Sequence, residues 1–283
     1  MKSKIFFFIS ILIIASSLIV FYAFKYSSEE KNHIHTIAFD PTEKDSFYLG
    51  THHNIMNYKG QTKVKDIGND DFMGLIIAKD GSFYSSGHSL NIENVGIRKS
   101  IDKGKTWEVL AYSGMDFHDM TTSNRNKDII YALSTPPEEI FVLSRDGGNS
   151  WNEIKSDLKQ IIFTLEADHQ KENVIYAGTI FGIYKSEDYG ETWKSLSPLV
   201  NISIVAIADD PLEEGIIYAS TYTNGVIKTI DNGKTWFDFN KGLPKEIVIL
   251  LDIDPFDTSK IFAITKNEEI YFHNGLQWEK IES

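Results

Sequence analysis

SIDKGKTW (Ser100–Trp107), SRDGGNSW (Ser144–Trp151), SEDYGETW (Ser186–Trp193) and TIDNGKTW (Thr229–Trp236) are four versions of one phrase. Each reads Ser or Thr, any residue, Asp, any residue, Gly, any residue, Thr or Ser, Trp. Its chemistry is that of a tight turn. An Asp carboxylate accepts hydrogen bonds from the N–H groups of its own turn, and Gly takes a positive φ without a Cβ penalty. The Trp leaves the turn and packs between neighbouring sheets. The shared positions are therefore scaffold rather than chemistry: Asp102, Gly104 and Trp107; Asp146, Gly148 and Trp151; Asp188, Gly190 and Trp193; Asp231, Gly233 and Trp236.

The phrase marks a longer repeat. Stretches such as AFDPTEKDSFYLGT, EADHQKENVIYAGT and ADDPLEEGIIYAST align on Asp40, Asp80, Ser123, Asp168, Asp210 and Asp254, at spacings of 40, 43, 45, 42 and 44 residues. A fixed period of this size signals a repeat architecture. Within a unit, short runs rich in Ile, Val, Tyr and Phe alternate with Asp, Gly, Asn and Pro turns, which is a β pattern. In the fourth unit the strands are expected at Phe163–Ala167, Val174–Gly178, Gly182–Ser186 and Thr192–Leu196. Four antiparallel strands per unit is the size of a propeller blade. The fold expected is all-β: a six-bladed β-propeller with four-stranded antiparallel blades over 33–283. A β-solenoid, the alternative, has shorter repeats. The phrase is worn in the first unit (Asn57–Lys63) and in the last, where HNGLQW (His273–Trp278) has His in place of Asp.

The N-terminus is a different material. Ile5–Phe24 is a run of 20 uncharged residues, with Lys2 and Lys4 before it and Lys25 after it. That length matches a bilayer core. It exceeds the apolar core of a signal peptide, and no small-residue cleavage site follows it. Residues 1–25 are read as a transmembrane signal anchor (a cleaved signal peptide being the alternative) and 26–32 as a tether. Positive charge ahead of the run keeps the N-terminus inside, so the propeller is expected on the extracytoplasmic side of the cell membrane, or secreted if the run is cleaved.

The formal charge of −12 repels phosphate backbones, which argues against nucleic acid as a partner. Cysteine is absent, which excludes disulfides, thiolate metal sites and a cysteine nucleophile.

Ser/Thr-x-Asp-x-Gly-x-Thr/Ser-Trp resembles the Asp-box, or BNR repeat, and His33–Ser283 is similar to Asp-box propellers: sialidases, sortilin-type ectodomains and exported bacterial proteins labelled glycosyl hydrolases. GTHHNI, SSGHS and DFHDM resemble the last group most. The resemblance implies the fold more than a reaction, because one fold hosts many functions. Sialidases resemble one another in an arginine triad that clamps a carboxylate bidentately. The only arginines here are Arg98, Arg125 and Arg145; the first and last adjoin the repeated phrase and the second lies in a turn of the third unit. Sialidase chemistry is not expected.

The repeat also places the histidines. His35 and His118 share an aligned position at the start of the innermost strand, and His52 and His88 share one at the end of the second strand, with His53 following. All five fall on one face, the top, near the channel axis, from three adjacent units. Three or more imidazoles make a site for Zn or Cu. Asp116 and Asp119 flank His118, and Glu138 and Glu139 reach the same face. The metal set expected is thus His35, His52, His53, His88, His118 and Asp116. His33, His169 and His273 read as incidental, Glu166 and Asp252 as channel carboxylates, and Tyr222 as a rim aromatic. Two functions remain: a binding module holding a divalent transition metal, with a protein or glycan ligand on the top face, or a glycosyl hydrolase-like enzyme acting on cell-surface glycans.

Overall fold

The computed structural model describes residues 33–89, 93–135, 139–196 and 201–281. The anchor, the tether and Glu138 lie outside them. Among the described residues no helix is long and apolar enough to cross a membrane.

Among the described residues, twenty-four strands form six sheets of four, each from consecutive strands paired antiparallel. The first blade holds β1–β4 (Ile34–Phe39, Ser46–Thr51, Ile55–Lys59, Thr62–Ile67) and the second β5–β8 (Asp71–Ile77, Phe83–His88, Ile97–Ser100, Glu108–Ala111). The third holds β9–β12 (Phe117–Thr122, Ile130–Ser134, Phe141–Ser144, Asn152–Glu153) and the fourth β13–β16 (Ile162–Ala167, Ile175–Thr179, Gly182–Ser186, Lys194–Ser195). The fifth holds β17–β20 (Ile204–Asp209, Ile217–Thr221, Gly225–Thr229, Phe237–Asp238) and the sixth β21–β24 (Val248–Ile253, Lys260–Thr265, Ile270–Asn274, Trp278–Lys280). The protein is a six-bladed β-propeller. Among the described residues no blade borrows a strand from the other end of the chain.

The core is six separate apolar layers, one at each joint between blades. Tyr48 and Ile55 meet Phe72 and Phe83 between the first and second, and Phe39 and Phe47 meet Phe262 and Ile264 where the ring closes. The Trp that follows each turn phrase fills the joint with the preceding blade: Trp107, Trp151, Trp193 and Trp236 pack at four successive joints, and Trp278 at the fifth. In the turns, Asp102 Oδ1 accepts from Ser100 Oγ, Lys105 N and Thr106 N, and Oδ2 accepts from Thr106 Oγ1. The Trp107 indole donates back to the Gly104 carbonyl at 3.1 Å. Asp146, Asp188 and Asp231 likewise accept from the N–H and hydroxyl of Ser150, Thr192 and Thr235 and from the hydroxyls of Ser144, Ser186 and Thr229. In the last blade Asn274 Oδ1 caps the turn by accepting from Leu276 N and Gln277 N. His273 accepts from Gly275 N and packs 4.4 Å from the Phe239 ring.

Inner strands of neighbouring blades do not pair as a ladder, so their polar groups need other partners. Side chains supply them across the joints. Asp119 Oδ2 accepts Leu165 N, Thr121 Oγ1 accepts Ala167 N, and Glu166 Oε1 accepts Asp209 N. At the seam between last and first blades Asp252 Oδ2 accepts Phe39 N at 3.2 Å, and Lys260 pairs with Asp45 at 2.8 Å.

Candidate functional site

Every inner strand carries a β-bulge at the same level. The register skips His35 in β1, Met73 in β5, His118 in β9, Phe163 in β13, Val205 in β17 and Ile249 in β21. A bulge leaves one residue out of the ladder and re-aims its side chain. His35 and His118 therefore owe their orientation to the fold's own irregularity, not to the ordinary strand alternation.

The bulges correct the sequence alignment in one blade. Asp40 N bonds Ser46 O at the end of β1, and the matching bond in the second blade runs from Ala78 N to Ser82 O. The equivalent of Asp40 is therefore Ala78, not Asp80, because the turn after β5 is two residues shorter. Counting back two residues from each bulge gives His33, Asp71 and Asp116 as one set of equivalent positions. Backbone bonds join this set to the ends of the second strands: His52 N to His33 O, and Thr135 N to Asp116 O, while Asp71 pairs with His88. His52 and His88 are thus structural equivalents.

These residues meet at the top of the channel. His52 Nδ1 and His88 Nδ1 both lie 3.0 Å from Asp71 Oδ2. His88 Nε2 lies 3.8 Å from Asp116 Oδ2, which His118 Nε2 also contacts. The His35 and His52 rings stand edge to face at 4.2 Å. One donor atom each from His35, His52 and Asp71 lies within 4.8 Å of the other two. Among the described residues, His35 Nε2, Asp71 Oδ1 and Asp116 Oδ1 are buried without a hydrogen-bond partner.

Burial, with help from neighbouring His52, lowers the His35 pKa to about 3, so its ring is neutral and offers a lone pair. Burial works against the Asp71 charge, but the bonds from His52 and His88 outweigh it and hold the carboxyl below its usual range. The bond to Asp71 raises the His88 pKa, and burial raises that of Glu139.

Sequence reasoning missed Asp71, the residue on which His52 and His88 converge. The signal was present: aligning the apolar run before Ala78 with that before Asp40 brings Asp71 level with Asp116. His33 is no bystander; it contacts Glu268 and stands 5.7 Å from the His52 ring. His53 is exposed, 6.5 Å from the His52 ring. Asp119, though next to His118, accepts the Leu165 N–H through Oδ2.

Below the site, a cavity of about 150 Å³ is bordered by all six inner strands, with Glu166, His169 and Asp252 in its wall. Burial acts against the His169 charge, but Glu166, 3.6 Å away, raises its pKa to about 9. Burial, then the Glu166 charge, pushes Asp252 up to about 7, and burial raises Asp209. His169 thus lies in the channel wall as part of a buried charge network.

No family model and no curated protein sequence matches the chain. Solved structures share its fold. An ancestral GH74 enzyme matches with a TM-score of 0.64 at 17% identity over 88% of this chain and 38% of its own. The GH74 xyloglucanase from Xanthomonas campestris matches with a TM-score of 0.60 at 17% identity over 87% and 46%. A domain described as the extracellular part of a hybrid two component system from B. thetaiotaomicron matches with a TM-score of 0.59 at 12% identity over 90% and 34%. This chain spans less than half the length of each of these three. At such identities the likeness defines the class, a β-propeller, and goes no further.

Proposed function

We propose that this chain is an exported, membrane-anchored β-propeller that binds a divalent transition metal, Zn or Cu, at the top of its channel and presents it to a protein or glycan ligand. The observation that carries the reading is the convergence of His35, His52 and Asp71, with the buried His35 Nε2 left without a hydrogen-bond partner among the described residues. Tetrahedral zinc with bonds near 2.0–2.1 Å sets its ligands about 3.3 Å apart, so donors within 4.8 Å need only small side-chain rotations. Three protein ligands leave a position open to an outside group. The acidic chain favours a cation. The extracellular domain among the fold's relatives supports a place outside the cytoplasm.

A glycoside hydrolase is the second reading. It is favoured by the GH74 relatives and by two channel carboxylates, Asp252 and Glu166. Two observations count against it. The cavity of about 150 Å³ is smaller than the roughly 300–1,000 Å³ of ligand pockets. Both carboxylates also already accept backbone N–H groups from the next blade.

The test is elemental analysis of the full-length, untagged chain in detergent after dialysis against Zn²⁺ and then metal-free buffer. Retained zinc that is lost in folded His35→Ala and Asp71→Ala variants supports the first reading. A metal-free wild type that releases sugar from cell-surface glycans replaces it with the second.

A further inference from the structure

The bulges form a ring. At one level each inner strand puts one residue out of its ladder: His35, Met73, His118, Phe163, Val205 and Ile249. Met73, Phe163 and Val205 are buried, yet none of them belongs to the six apolar layers at the blade joints. They are covered at the mouth of the channel instead, where a bulge re-aims its side chain. The ring divides in two. In the last three blades its members are plain hydrocarbons. In the first three each carries an atom that binds transition metals: nitrogen, sulfur, nitrogen.

Met73 comes from the blade between the two that carry imidazoles, and its strand lies against both. The Thr36 hydroxyl, next to His35, donates to Leu75 O at 3.0 Å, two residues past Met73. On the other side a Cβ at Gly74 would lie 3.0 Å from the carbonyl of Phe117, the residue before His118. Asp71, two residues before Met73 on the same strand, is one of the three close donors. Strand β5 therefore brings two kinds of ligand to the imidazoles of the first blade. Asp71 offers a carboxylate oxygen, a hard donor that serves Zn²⁺. Met73 offers a thioether, a soft donor that selects Cu⁺. Three rotatable bonds give that sulfur its reach. The apolar half of the ring favours the same ion, because removing one charge from water costs far less than removing two.

We propose that Met73 is the soft ligand with which the His35 and His52 pair holds copper as Cu⁺, while Asp71 serves the same pair when the ion is divalent. This rests on the reading of the metal position given above. Met73 is then the residue that sets which metal the channel mouth prefers.

The experiment uses the full-length, untagged chain in detergent. Samples are loaded anaerobically with Cu⁺ and challenged with the Cu⁺ chelator bicinchoninate. Zinc retention after dialysis is measured on the same preparations, with circular dichroism as the folding control. X-ray absorption at the copper edge reads whether sulfur binds the ion. Wild type should hold Cu⁺ with a sulfur neighbour. Met73→Leu, which conserves volume, should lose Cu⁺ and the sulfur signal but keep zinc. Asp71→Ala should lose zinc but keep Cu⁺, and Met120→Leu should change neither. A wild type that keeps zinc but yields Cu⁺ to the chelator overturns the role of Met73 and leaves the zinc reading standing. So does a Met73→Leu variant that keeps Cu⁺ or its sulfur signal, or a Met120→Leu variant that loses that signal. Loss of both ions in folded Met73→Leu makes the residue structural, and loss of both in folded Asp71→Ala overturns the exchange of ligands. A folded wild type that retains neither ion removes the metal position itself.

Discussion

Asp252 offers a sharp test of how the ring closes. Its carboxylate lies at the seam between last and first blades, accepting Phe39 N at 3.2 Å and Ile253 N at 2.7 Å. Burial, with the nearby Glu166 charge, moves its pKa from 3.8 to about 7. The folded protein therefore holds this proton more tightly than the unfolded chain. Its contribution to stability is complete below pH about 4 and is lost as pH rises through about 7. The full difference is worth roughly 4 kcal/mol as an upper bound. Asp252→Asn removes the charge but offers one acceptor oxygen where the carboxylate had two, leaving one backbone N–H unpaired at a cost of about 1–3 kcal/mol. The variant should therefore be less stable than wild type at pH 4, by that cost, and more stable at pH 8, by about 1–3 kcal/mol. Urea unfolding followed by tryptophan fluorescence reads this directly, since all five tryptophans lie in the propeller. The two stability curves should cross between pH 4 and 8. Parallel curves, or a variant weaker at both ends, would refute the assignment of a buried, protonated seam carboxyl.

Two further outcomes follow from the geometry. Gly190 (φ +92°) and Gly60 (φ +58°) both occupy the left-handed region, but a Cβ at Gly190 would lie 2.5 Å from Phe141, whereas none at Gly60 meets an atom within 4 Å. Gly190→Ala should cost clearly more than the roughly 1 kcal/mol expected of Gly60→Ala, as read by thermal melts. His53 is exposed and lies outside the close set of donors, so His53→Ala should leave zinc retention unchanged; in wild type acidification should release the metal, because protons compete with it for the ligand atoms.

The turn phrase and its period were enough to name the fold, because both depend on local chemistry. An Asp that caps its own turn and a Gly at positive φ act within eight residues, and the strands between them alternate by a simple period. The same logic placed His52 beside His88 and His35 beside His118, since equal steps along equal blades end at equal heights. It failed where one turn changed length. Two residues fewer after β5 moved Asp71 out of the alignment, and the matching backbone bonds of Asp40 and Ala78 put it back.

The sequence alone determined that this chain is a wheel of six repeated sheets with histidines gathered on one end. Only the tertiary structure decided which side chains converge. Bulges turn His35 and His118 out of the strand pattern, and neighbouring blades bring Asp71 and Asp116 against histidines distant in sequence. It also decided the fate of the channel carboxylates, which were legible as channel residues but not as clasps between blades. The physical reason is range. Turns and strands are fixed by residues a few positions apart, whereas a shared oxygen between two imidazoles depends on how one blade leans on the next.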